Sequence, residues 1–119
     1  MFDRAGGGAF FVELVERFYR LVESDVLLRP MYPDDLEPGK TYLAAFLAQY
    51  WGGPPFYSME RGHPRLRQRH FRFSIGHQER DAWVSHMRAA VASMGLSAED
   101  ESEMVDYFEQ AATMMINSE

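Results

Sequence analysis

The 119-residue chain contains no cysteine. That excludes disulfides, cysteine-held zinc, iron–sulfur clusters and thiolate ligation of any metal. A bound metal would have to use His, carboxylate, Tyr or Met. The lack of cysteine also fits a reducing compartment, so a cytoplasmic location is expected. No apolar run approaches the ~20 residues that a membrane span needs, and no membrane contact is expected. The N-terminal MFDRAGGGAFF lacks the basic start and long apolar stretch of a signal peptide. Positive charge is scarce as well. Twelve Lys and Arg face eighteen Asp and Glu, for a net charge of −6, which argues against a nucleic-acid partner.

Aromatic residues are abundant, at 14%, and could line a large flat apolar cavity or simply fill a core. The length suits one domain over residues 1–119. Charge is unevenly placed. Residues 61–72 hold five Arg and no acid, whereas 81–119 hold eight acids and one Arg. A basic island in an acidic chain points to a local anionic partner rather than a long polyanion.

Apolar spacings of three and four predict four substantial helices. The first carries Phe10, Phe11, Leu14, Val15, Phe18, Leu21 and Val22, after a break at Gly6-Gly7-Gly8. Ser24 to Tyr32 reads as a short helix or turn stopped by Pro33. The second helix begins near Pro38 or Lys40, carries Tyr42, Leu43, Phe46, Leu47, Tyr50 and Trp51, and stops at Gly52-Gly53-Pro54-Pro55. Gly52 to Pro64 reads as a long connection, with a short helix after Pro64 carrying Leu66 and His70 and an extended stretch from Phe71 to Ile75. The third long helix spans about Glu79 to Met94, and Gly95 suits its C-terminal cap. Ser97 with Asp100 opens the last, which carries Met104, Val105, Phe108, Ala111, Ala112, Met115 and Ile116. The fold class is therefore all-α, and periodicity does not separate crossed packing from a bundle.

The chemistry rests on few groups. The four His (His63, His70, His77 and His86) lack the spacing of a helical zinc site. His70 ends the run His63-Pro64-Arg65-Leu66-Arg67-Gln68-Arg69-His70. One imidazole beside several guanidinium groups suits a haem, which needs an iron ligand and cations for its propionates. Phe71 and Phe73 could cover the porphyrin. A solvated basic helix with an incidental His accounts for the same residues. Tyr19, Tyr32 and Trp83 offer two hydroxyls and an indole N–H for hydrogen bonding a gas ligand. Backbone carbonyls are the ordinary partners of such groups. No Ser–His–Asp or paired-carboxylate arrangement stands out, so no catalytic residue is nominated.

Several stretches taken together resemble the group II truncated haemoglobins. They are Gln49-Tyr50-Trp51-Gly52-Gly53-Pro54, Tyr57-Ser58, Arg61-Gly62-His63-Pro64-Arg65-Leu66-Arg67, Arg69-His70 and Glu79-Arg80-Asp81-Ala82-Trp83. The resemblance runs from about Phe10 to Ser118. It implies a shortened globin, a two-over-two helical sandwich around haem b. His70 would be the proximal ligand of the iron, and Trp83, Tyr19 and Tyr32 would face the distal side. Leu43 and Phe46 match apolar distal-helix positions, and Arg69 and Tyr57 would contact the propionates. The stretch from Asp34 to Lys40 is shorter than in close relatives. Gly39 falls near the gate position, and Phe71-Arg72 follows the ligand His where relatives often have a proline nearby.

The expected function is binding of dioxygen or another diatomic gas at a His-ligated haem. The alternative is a haem enzyme, peroxidase-like or a nitric oxide dioxygenase, fed by an external reductase. Without haem, the Arg61 to Arg72 island would instead hold a phosphorylated or acidic ligand. Either a monomer or a homodimer fits the sequence.

Overall fold

The computed structural model describes residues 2–53 and 75–116. Among these, the helices are α1 (Phe2–Ala5), α2 (Gly8–Glu23), α3 (Glu37–Tyr50), α4 (His77–Ala92) and α5 (Ala98–Met114), with a 3₁₀ turn at Arg29–Met31. The described residues contain no strand, and none of their helices is long and apolar enough to cross a membrane. The loop from Pro54 to Pro64, the short helix with Leu66 and His70, and Phe71 to Ser74 lie outside the described residues.

The stripe on α2 explains the centre of the core. Phe11, Leu14, Phe18 and Val22 lie three or four residues apart and are fully buried. Each such side chain contributes roughly 1.5–3 kcal/mol through burial. Leu21 sits at the stripe's margin and is partly exposed, because its angle around the helix carries it off the buried face.

Helix α2 packs on α3 and on α4, and α4 packs on α5, giving two helix pairs laid one over the other. Polar clamps fix these contacts. Lys40 on α3 pairs with Glu16 on α2 at 3.3 Å and with Glu37 at 2.9 Å. The Arg17 guanidinium donates to the Ser93 carbonyl at 2.7 Å, tying α2 to the C-terminus of α4. Arg88 on α4 meets Glu109 on α5 at 3.0 Å. Such partly exposed pairs set register more than stability.

Helix ends follow the local sequence. The Ser97 hydroxyl accepts from the Asp100 N–H and caps α5, whose first turn holds Glu99, Asp100 and Glu101 against the positive end of the helix dipole. Pro38 occupies the first turn of α3, where its missing N–H costs nothing. After α3 the chain turns sharply at Gly52-Gly53. A β-carbon on Gly53 would meet the Phe2 ring at 2.7 Å and the Ala48 carbonyl at 2.9 Å, so only glycine lets α1 dock there. Helix α1 has no apolar stripe long enough to be read from sequence. It is held by that docking and by the Phe2 N–H to Trp51 carbonyl bond of 3.1 Å.

Candidate functional site: an aromatic cavity between the helix pairs

The segment between α2 and α3 builds one wall of a cavity. The Asp25 carboxylate accepts the N–H groups of Leu27 at 2.8 Å and Leu28 at 3.2 Å, so its side chain closes a turn. Its other oxygen meets His86 Nε2 on α4 at 2.6 Å. Arg29 then donates to the carbonyls of Tyr32, Pro33 and Asp34 at 3.0–3.3 Å. Tyr32, preceding Pro33, is extended, as a residue before proline prefers. These bonds aim Leu28, Met31 and Tyr32 into the space between the helix pairs.

Helix α3 supplies Leu43, Phe46 and Leu47 to the same cavity. Helix α4 adds Glu79, Arg80 and Trp83, and α5 adds Tyr107, Phe108, Ala111 and Ala112. Ile75 and Met115 close the ends. The lining is almost wholly apolar. Its charged members are tied elsewhere: Glu79 accepts the Gly76 N–H at 2.7 Å, and Arg80 donates to Thr113 and to the Glu109 carbonyl, both at 3.2 Å.

Three polar rings stand in this wall, Tyr32, Trp83 and Tyr107, and the first two are neighbours. The Trp83 indole N–H is a donor only, and it approaches the Tyr32 hydroxyl closely enough to favour its ionised form slightly. Trp83 is held in place by Phe18 at 5.2 Å and Phe108 at 5.8 Å between ring centroids, both edge-to-face. With Trp83 a donor only, the Tyr32 hydroxyl keeps its own hydrogen for another acceptor. Burial, reinforced by the nearby Tyr19, pushes the Tyr32 hydroxyl well above the ordinary tyrosine range, so it stays protonated.

Tyr19 stands one layer behind. Its ring meets the Tyr32 ring edge-on at 5.6 Å, and it does not line the cavity. Its hydroxyl is turned toward Gly39 in the first turn of α3. It is buried, pushed up to about 12 by that burial, and makes no hydrogen bond within the described residues.

The structure thus brings Tyr32, Leu43, Phe46 and Trp83 to one cavity and sets Tyr19 against its wall. His70, Arg69, Tyr57 and Phe73 lie outside the described residues. Leu28, Met31, Tyr107 and Met115 line the cavity without having been singled out for it from the sequence. Leu28 and Met31 sit in a turn with no periodicity to mark them. Tyr107 lies off the apolar stripe of α5, and Met115 lies just past the end of that helix.

This architecture is shared with known proteins. Residues 1–117 match the family model for bacterial-like globins. The group 2 truncated haemoglobin of Bacillus subtilis is 40% identical over 111 residues, covering 93% of this chain and 84% of that protein. The solved haemoglobin of the thermophilic phototroph Chloroflexus aurantiacus is 50% identical with a TM-score of 0.95, covering 98% of this chain and 96% of its own. The truncated oxygen-avid haemoglobin structure from Bacillus subtilis has a TM-score of 0.89 at 40% identity, covering 93% of this chain and 94% of its own. The chain belongs to the bacterial-like globin family and, within it, to the group II truncated haemoglobins.

Proposed function

We propose that the protein holds haem b in the cavity between its helix pairs, with His70 as the iron's protein ligand, and binds dioxygen or another diatomic gas on the opposite face. The observation that carries this reading is the neighbouring Trp83 and Tyr32 set in a largely apolar aromatic wall. Flat aromatic and branched aliphatic side chains suit a porphyrin's faces. A neutral donor among them suits a small polar guest. Leu43, Phe46, Phe73 and Trp83 would contact the macrocycle, and Arg69 and Tyr57 its propionates.

When bound, haem supplies a ferrous iron able to take up a diatomic gas. The chain's own residues then set how long the gas stays. The Trp83 indole N–H, a donor only, takes no hydrogen from Tyr32, so the Tyr32 O–H can donate to a guest. The Tyr19 hydroxyl, buried and without a hydrogen bond among the described residues, stands behind Tyr32 as a second candidate donor. Leu28, Leu47 and Phe108 line the same cavity and would limit water beside Tyr32. The oxygen-avid Bacillus subtilis relative supports dioxygen as the guest.

Stopped-flow release of dioxygen from the haem-loaded protein tests this. A hydrogen bond to a polarised guest contributes roughly 1.5–3 kcal/mol, so Tyr32→Phe should release dioxygen at least ~10-fold faster. Trp83→Phe should do the same by freeing Tyr32 to turn away. Unchanged release in both variants would contradict the proposal.

A further inference from the structure

We infer that Tyr50 and Tyr107 form an oxidative modification site, at which one-electron oxidation joins the two rings in an intramolecular dityrosine between α3 and α5. Their ring centroids lie 4.1 Å apart with planes tilted by 32°. Tyr50 is 53% exposed, so an oxidant in solution reaches it directly. Tyr107 is half-buried and lines the aromatic cavity. The pair therefore connects the cavity wall to solvent through two closely packed, tilted phenols.

The surroundings favour reaction between these partners. Trp51 packs edge-on to both rings, at 5.0 Å from Tyr50 and 5.1 Å from Tyr107. Trp51 is anchored in turn by its indole N–H to Glu103 at 3.1 Å and by stacking on Phe11 at 6.0 Å. The two phenols are thus held together on rigid helices. The chain has no cysteine to give up an electron first, which leaves tyrosine and tryptophan as the readily oxidised one-electron donors.

The chemistry closes without a cofactor. Each phenol loses one electron and one proton to become a phenoxyl radical. The radicals join through a carbon–carbon bond between ring positions ortho to the oxygens. Each ring then moves its displaced hydrogen to oxygen and regains its hydroxyl. Two equivalents of a one-electron oxidant accept the electrons, two protons pass to solvent, and the product is lighter by two hydrogens.

The test uses the full chain and a photogenerated ruthenium(III) polypyridyl oxidant with persulfate, which does not depend on haem binding. The result is therefore independent of the reading proposed above. The expected product is a monomer with dityrosine fluorescence, lighter by two hydrogens, in which peptide mapping links the Tyr50 and Tyr107 peptides. Tyr50→Phe and Tyr107→Phe, each checked for helical content by circular dichroism, should each lower its yield at least tenfold. Cross-linking spread over other tyrosines would overturn the inference. So would cross-links solely between copies, an absence of dityrosine, or a yield unchanged in either variant.

Discussion

Tyr19 and Gly39 meet with no space for a methyl group between them: a β-carbon on Gly39 would lie 2.9 Å from the Tyr19 hydroxyl oxygen. Real β-carbons essentially never come so close, so the hydroxyl holds its position only because residue 39 is glycine. Gly39 therefore sets where Tyr19 points.

Gly39→Ala should accordingly act through Tyr19. Alanine favours the helix by up to ~1 kcal/mol over glycine, less in a first turn, while the displaced hydroxyl works against it. In the wild-type background the two effects oppose. In a Tyr19→Phe background the oxygen is gone, the nearest remaining ring atom lies 3.8 Å away, and only the gain remains. Urea denaturation of the four proteins in this double-mutant cycle should give a coupling energy of about 1 kcal/mol. Additive effects would show that Tyr19 relaxes freely.

Tyr19→Phe should separate stability from ligand retention. The Tyr19 hydroxyl has no hydrogen bond among the described residues, and a buried hydroxyl so placed costs about 1–3 kcal/mol, so its removal should stabilise the ligand-free protein by about 1 kcal/mol. If the same hydroxyl donates to the bound gas, dioxygen release should quicken in that variant. Urea midpoints and stopped-flow release are the two readouts. Loss of stability together with unchanged release would count against any distal part for Tyr19.

The Asp25–His86 contact predicts an acid-sensitive hold on the Tyr32 segment. The hydrogen bond from His86, followed by that from the Leu27 N–H, holds the Asp25 carboxyl below the ordinary carboxylate range. A carboxyl with a lower folded than unfolded pKa adds stability above its unfolded value, roughly 4, and loses it as pH falls through the folded value. Wild-type stability should therefore decline more steeply below pH ~4 than that of Asp25→Asn. Near neutrality Asp25→Asn should be the less stable of the two. Parallel urea-stability profiles between pH ~2.5 and ~7 would contradict this.

How much of this was legible in the sequence differs element by element. Helix α2 was readable because Phe11, Leu14, Phe18 and Val22 repeat at helical spacing on a face that is buried throughout. The start of α5 was readable because Ser97 and Asp100 stand at capping distance in the chain. Tyr32 and Trp83 were nominated singly, but their approach joins residues from a turn and a helix fifty-one positions apart. Asp25 and His86 are sixty-one apart and carry no local signal at all. The place of Tyr19 behind Tyr32, not in the lining, depends on the missing β-carbon of Gly39, and no periodicity records a packing distance.

Whether His70 holds the haem iron is read by an absorption titration of the haem-free protein with haemin. Wild type, His77→Ala and His86→Ala should each develop a Soret band saturating at one equivalent. His70→Ala should lose that tight binding, and added imidazole should restore the band. No Soret band in the wild type, or an unchanged titration in His70→Ala, would contradict the account.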